Sequence, residues 1–174
     1  MKLLLISFYL LFLLSCNSRD RNVNSEYRKE KKTITENTSK EFYSIKKFVD
    51  GDTFWIYDGS KKGLKIRLIG VDTPENKARF GKPKEYFGDE ASLFTKNLLL
   101  GKKVRLELDV DPTDSFGRTL AYVFLEDGTF LNEELIKQGF ATMMTVQPNS
   151  KYADHFYKLQ VHAREKELGL WKKS

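Results

Sequence analysis

Cysteine occurs once in these 174 residues, at Cys16. No intramolecular disulfide can brace the fold, so its stability must come from a hydrophobic core. Histidine occurs twice, at His155 and His162, close together in what reads as the last helix. This scarcity argues against a zinc centre and against histidine-driven acid–base chemistry, and both histidines read as helix-surface or packing residues. Long apolar runs are also missing. The run from Leu3 to Leu14 has twelve positions, short of the about 20 residues that a membrane-spanning helix needs. No internal repeat or second linker interrupts residues 41–174, which is enough chain for one domain with a single core.

The apolar run has a lysine before it and Ser15-Cys16 after it, the layout of a secretory signal peptide. Leu13-Leu14-Ser15-Cys16 resembles a bacterial lipobox, whose cysteine is acylated after cleavage. Residues 1–15 are therefore expected to be a lipoprotein signal peptide and Cys16 the lipidation site. Residues 16–41 are expected to be a flexible tether. Asn17 to Lys40 holds only Val23, Tyr27 and Ile34 as sizeable apolar groups, too few to offset the entropy lost on ordering. The remaining domain, 42–174, would then be extracytoplasmic and lipid-anchored to the bacterial cell envelope. The net charge of +6 is misleading about partners. Asn17 to Lys40 carries seven Lys or Arg against four Asp or Glu, and with Lys2 also set aside residues 41–174 keep only +2. Basicity alone does not point to nucleic acid, because the tether's excess suits anionic lipid equally.

Within the domain, Tyr43 to Val49, Phe54 to Tyr57 and Leu64 to Val71 read as three strands, joined by turns at Asp50-Gly51 and Asp58 to Gly63. Glu75 to Gly88 is polar, punctuated by Gly and Pro, and reads as a loop. Ala91, Phe94 and Leu98 recur at helical steps in Glu90 to Leu100, which Gly101 ends. Lys103 to Val110 alternates as a half-buried strand, and Arg118 to Leu125 is another, closed by Asp127-Gly128. Leu131 to Gln138 is a short helix stopped by Gly139. Tyr152, Phe156, Leu159 and Ala163 mark one face of the last helix, which Gly169 ends. Five strands with one helix between the third and fourth match the composition of an OB-type barrel. The periodicity supports an antiparallel sheet with packed helices.

Polar residues that suit chemistry gather at the ends of these strands. Arg67-Leu68-Ile69-Gly70-Val71-Asp72-Thr73-Pro74-Glu75 is an apolar run with one embedded arginine that stops at Pro74, which has no amide to donate. Asp72 and Glu75 are thereby offered to solvent or a ligand. Asp50-Gly51-Asp52-Thr53 forms a hairpin turn in which Asp52 is either a turn residue or a ligand. Asp114-Ser115-Phe116-Gly117-Arg118 brings a second arginine to the start of a strand. Strict alternation places Arg67 and Asp72, five residues apart, on opposite faces; a shared site requires a bulge or bend, and Gly70 is the place for it.

These fragments, with an F-G-R-x-L-A-Y strand and a closing helix that runs to Gly-Leu-Trp, resemble the staphylococcal nuclease (thermonuclease) family in order and spacing. The resemblance spans about Phe42 to Trp171. It implies an α+β fold, a five-stranded OB-fold β-barrel with about three packed helices, and a Ca²⁺-dependent phosphodiesterase that cuts DNA and RNA with low sequence specificity and leaves 3′-phosphate ends. Carried over residue by residue, Asp52, Asp72 and the Thr73 carbonyl would hold Ca²⁺, an all-oxygen set suited to that ion. Arg67 and Arg118 would stabilise the charge added to the phosphate. Glu75 would act as general base or orient the attacking water; sequence does not separate the two.

Departures from the family pattern fall on substrate grip. Ser115-Phe116 stands where the family carries Lys-Tyr, and Thr145 and Gln147 replace tyrosines of the base pocket, in a segment one residue shorter. Stacking on an aromatic contributes about 1–3 kcal/mol per base, so single-nucleotide affinity is expected to be lower. Phe116 can still pack against a sugar or base, and Lys82 and Lys84 are candidate contacts to the nucleic-acid backbone. The expected assembly is a monomer. The rival reading is a non-catalytic OB-fold lipoprotein that binds nucleic acid without cutting it.

Overall fold

A computed structural model of the chain describes residues 41–78, 81 and 83–172. The expected signal peptide, Cys16, Lys82 and all but the last residue of the expected tether lie outside the described residues.

Alternation sets the barrel. Phe54, Ile56, Ile66, Leu68, Val104 and Leu106 are almost wholly buried, and each such side chain contributes about 1.5–3 kcal/mol through burial. They lie on β2 (Thr53–Ile56), β3 (Leu64–Leu68) and β5 (Lys103–Glu107), which form a barrel with β1 (Tyr43–Phe48) and β6 (Thr119–Leu125). The closed order is β1-β2-β3-β6-β5. The expectation of an antiparallel sheet fails at one junction: β3 and β6 are parallel, with Arg67 opposite Leu120. A ring with an odd number of strands cannot reverse direction at every junction, so one parallel pair is required.

The third expected strand, Leu64 to Val71, is in fact two. After Leu68 the chain leaves the barrel and forms β4 (Gly70–Asp72), which pairs antiparallel with β7 (Thr142–Met144), a strand the sequence pattern did not signal. Gly70 takes φ +77°, and a Cβ there would lie 2.6 Å from the Phe156 ring, so glycine is needed both for the bend and for the contact. The backbone groups exposed by the bend are satisfied. Ile69 donates to the Ala121 carbonyl at 3.0 Å, and the Ile69 carbonyl accepts from Nδ2 of buried Asn132 at 2.8 Å.

Three helices cover the barrel: α1 (Gly88–Leu99), α2 (Leu131–Lys137) and α3 (Ala153–Glu165), followed by a 3₁₀ turn at Gly169–Trp171. Tyr122 of β6 joins barrel to helices. Its ring meets Tyr152 edge-on at 4.6 Å and Phe130 at 6.2 Å, while its hydroxyl donates to Asp109 at 2.9 Å. Among the described residues no helix is long and apolar enough to cross a membrane.

Candidate active site

The break at Gly70 solves the parity problem. Arg67 is 7 % exposed and its guanidinium turns back along its own chain. Nη1 donates to the Val71 carbonyl at 2.8 Å and pairs with Asp52 Oδ2 at 2.9 Å; Nη2 donates to Asp72 Oδ1 at 2.9 Å. Without the bend, Asp72 would sit on the far face of β3. Asp52, also 7 % exposed, accepts from the Thr73 amide at 3.1 Å and the Thr73 hydroxyl at 3.0 Å through the same Oδ2. Asp52, Arg67, Asp72 and Thr73 thus form one corner.

The hairpin turn is locked to this corner. A Cβ on Gly51 would lie 2.6 Å from Thr73 Oγ1, so only glycine lets the turn approach. From α1, Thr95 Oγ1 donates to the Gly51 carbonyl at 2.7 Å.

The corner is rich in negative charge. Asp52 and Asp72 share the Arg67 guanidinium, and Asp50 stands beside Asp52 in the same turn. Burial pushes the Asp50 carboxyl up to about 6, and the neighbouring Asp52 charge adds to this. Burial also raises Asp72; Arg67 opposes that shift and Asp52 reinforces it. Asp72 keeps half of its side chain exposed, 51 %, and so retains an open side toward solvent. Among the described residues no group of three or more His, Cys, Asp and Glu side chains is arranged to hold a metal.

Arg118 shares a cleft with Arg67, which Asp52, Asp72 and Thr73 do not line. A cavity of about 330 Å³ is lined by both Arg67 and Arg118, together with Met144, Val146 and Gln147. Asp114 organises the turn that presents Arg118. Its Oδ1 accepts from the Phe116 and Arg118 amides, both at 2.9 Å, and its Oδ2 accepts from Arg118 Nε at 2.6 Å. Burial works to raise the Asp114 carboxyl, but these donors outweigh it and hold the group below the ordinary range. Arg118 spends Nε on this contact, and its guanidinium lies 5.4 Å from the centroid of the Phe116 ring, which is 82 % exposed.

The other expected residues are placed less centrally. Glu75 is exposed and is not among the groups lining the cleft. Its backbone is fixed, with the amide donating to Glu85 Oε2 at 3.0 Å and the carbonyl accepting from the Glu85 amide at 2.9 Å. Its charge reaches the corner by raising Asp50. Lys84 pairs with Asp89. Gln147 lines the cleft and Thr145 does not. His155 of α3 pairs with Glu133 of α2 at 2.8 Å, and His162 is exposed on α3, as a surface role requires. Sequence reading gave no role to Asp114, although its four-residue spacing from Arg118 across Gly117 was a usable signal. It also passed over Asp50, which stands in the same turn as Asp52.

Residues 65–173 match the family described as staphylococcal nuclease homologue. The chain is 43 % identical to the thermonuclease of Staphylococcus intermedius over 133 residues, 76 % of this chain and 77 % of that protein. It is 41 % identical to the thermonuclease of Staphylococcus hyicus, with 78 % of each chain covered. Endonuclease YncB of Bacillus subtilis is 35 % identical over 163 residues, 91 % of this chain and 72 % of that protein.

Proposed function

This chain belongs to the staphylococcal nuclease family and is a nuclease that hydrolyses nucleic acids; we propose that it does so as a Ca²⁺-dependent phosphodiesterase on DNA and RNA, with low sequence specificity and 3′-phosphate products. The observation that carries this reading is the corner itself, where Asp52 and Asp72 pair with Arg67 and Thr73 bonds to Asp52, while Arg67 also lines a cavity with Arg118.

The donor set fits a hard cation in kind. Two carboxylates share one guanidinium, the charge of Asp52 raises both Asp50 and Asp72, and no histidine or cysteine stands among the corner's polar groups. Asp52, Asp72 and the Thr73 carbonyl would hold Ca²⁺, with the remaining oxygens supplied by water and substrate. Bound there, the ion would supply positive charge against a phosphate oxygen.

The chain's own residues do the rest. Arg118 has Nε anchored on Asp114 and presents its terminal nitrogens to the phosphate in a fixed fork. Arg67 is buried, so its charge acts in a medium where screening is weak; when the half-exposed Asp72 turns toward solvent, Nη2 is released to a phosphate oxygen. Glu75, on a pinned backbone with no side-chain hydrogen bond among the described residues, is the group that positions water or takes its proton. Phe116 offers a ring for a base or sugar, and Lys82 and Lys84, which follow Glu75 in the sequence, would contact the nucleic-acid backbone. The protein acts as a monomer. Acylation of Cys16 with the 16–41 tether would hold the domain outside the cytoplasm, anchored by lipid to the bacterial cell envelope, a reading supported by the apolar run before the chain's single cysteine.

A calcium titration of plasmid cleavage tests the enzyme reading. Cleavage that rises with Ca²⁺, stops with chelator and yields 3′-phosphate ends is expected. A band shift without cleavage under both conditions would instead identify a binding module. Mass measurement of the membrane-extracted protein tests the anchor, and an unmodified Cys16 would remove it.

A further inference from the structure

The outer side of the first three strands carries a row of residues that the cleavage chemistry leaves unused. Trp55 has Lys47 as its cross-strand partner on β1 and Lys65 as its partner on β3. Phe54, Ile56 and Ile66, the neighbours of Trp55 and Lys65, are fully buried in the barrel, so alternation turns Trp55 and Lys65 outward, and Lys47, opposite Trp55, is exposed. Lys65 precedes Arg67 by two positions on the same side of β3, a step of about 7 Å. The row therefore starts beside the cleft wall and runs away from it.

Charge accumulates along this row. Lys46 donates to the carbonyls of Lys61 and Lys62 at 2.7 and 2.9 Å, drawing that turn toward the strands. Among the described residues Lys47, Lys61, Lys62 and Lys65 form no ion pair. The acidic group of the turn, Asp58, is held by the Ser60 amide and hydroxyl at 3.0 and 2.7 Å. Elsewhere on the barrel the outward aromatic is already used: Phe124 lies under Arg105 at 4.4 Å and stacks on Phe130 at 4.4 Å. Trp55 is half-buried and, among the described residues, pairs with no other ring.

We propose that Lys47, Trp55 and Lys65 form a track for the nucleic-acid strand as it leaves the cleft, the lysines meeting backbone phosphates and the indole stacking beneath a base. The proposal rests on the nuclease reading for what occupies the cleft. Lysines alone would suit an anionic bilayer. A ring set between two of them, about 5 Å from each across the strands, in a row that ends two residues from Arg67 on β3, suits a polymer with alternating phosphates and flat bases.

The test uses the full chain, its Lys47→Ala/Lys65→Ala variant, and Trp55→Leu beside Trp55→Phe, each checked for folding by thermal melting. Binding of a single-stranded DNA of about 20 nucleotides is measured in chelator, and cleavage of it in Ca²⁺ is compared with cleavage of a dinucleotide that the cleft alone accommodates. The lysine variant is expected to bind the oligonucleotide about tenfold more weakly, with a salt slope shallower by about 1.4, roughly 0.7 for each lost phosphate contact. The dinucleotide KM should stay within about twofold. Trp55→Leu should weaken oligonucleotide binding, and Trp55→Phe should restore most of it. Unchanged oligonucleotide affinity, or an equal loss on both substrates, overturns the track. So does lost binding to phosphatidylglycerol vesicles with oligonucleotide affinity intact, which would assign the lysines to a lipid surface. If the parent protein cuts neither substrate, the nuclease reading fails, while the binding measured in chelator still decides the track.

Discussion

The two arginines that line the cleft are held in opposite ways. Arg67 stands on a barrel strand, is 7 % exposed, and has both terminal nitrogens engaged by Asp52, Asp72 and the Val71 carbonyl. Arg118 stands at the end of a surface turn and is held by one carboxylate through Nε. One arginine is therefore part of what folds the site, and the other is mounted on a site already folded. The same side-chain chemistry carries two different debts to the structure, and mutation should expose them separately.

The largest effect is expected at Arg67. Arg67→Ala leaves Asp52 buried without its counter-charge, and breaking a buried pair this way costs about 3–5 kcal/mol; the half-exposed contact with Asp72 adds little. Loss of activity should come with a fall in the urea midpoint. A variant that loses rate at full stability would show that Asp52 finds another partner and would erase the contrast with Arg118. Arg118→Ala should lower kcat by about 10²–10³-fold or more while the midpoint moves by less than about 1 kcal/mol equivalent, because its pair is partly solvated. Arg118→Lys sharpens the point. It keeps the charge but cannot both anchor on Asp114 and present a fork, so recovery should be small. Near-normal activity in Arg118→Ala would remove it from the site.

How much of this could be read beforehand depended on distance along the chain. Asp50-Gly51-Asp52-Thr53 announced its turn because Asp-Gly between apolar strands is a local signal, and the five-residue interval between Arg67 and Asp72 forced a bend at Gly70 that the backbone shows. The supports of those features were not legible. Asn132 reaches the Ile69 carbonyl from 63 residues away, and Thr95 reaches Gly51 from 44; no local pattern marks either. β7 spans only Thr142–Met144, too short to show a period. The parallel junction of β3 with β6 follows from closing five strands into a ring, which the alternation within any one strand does not reveal. Arg67 was legible as a phosphate ligand by type. That its nitrogens are already engaged depends on side-chain geometry.

Glu75 extends the comparison to a residue mounted outside the corner. Its backbone is fixed by Glu85 while its carboxylate is exposed. Glu75→Gln should slow turnover by about 10²-fold with stability and calcium affinity near those of the parent. Lost calcium affinity in a titration calorimeter would reassign Glu75 as a ligand.

The smallest effect is expected at Asp50, where the corner is overloaded. Its carboxyl is raised to about 6 by burial and then by Asp52, above the ordinary value near 3.9 in the unfolded chain. The folded state therefore holds this proton more tightly than the unfolded state. The stability that comes with it is fully present below about pH 4 and is lost as pH rises through about 6. Asp50→Asn carries no charge to bury, so in chelator it should match the parent near pH 4 and exceed it at pH 7 by on the order of 1–3 kcal/mol. Urea unfolding at the two pH values checks this. Added Ca²⁺ should narrow the gap at pH 7, since a cation in the corner relieves the crowding that Asp50→Asn removes by other means. An Asp50→Asn variant that is less stable than the parent at pH 7, with or without calcium, would mean that Asp50 supports the turn through its charge, and the corner would then be balanced as it stands.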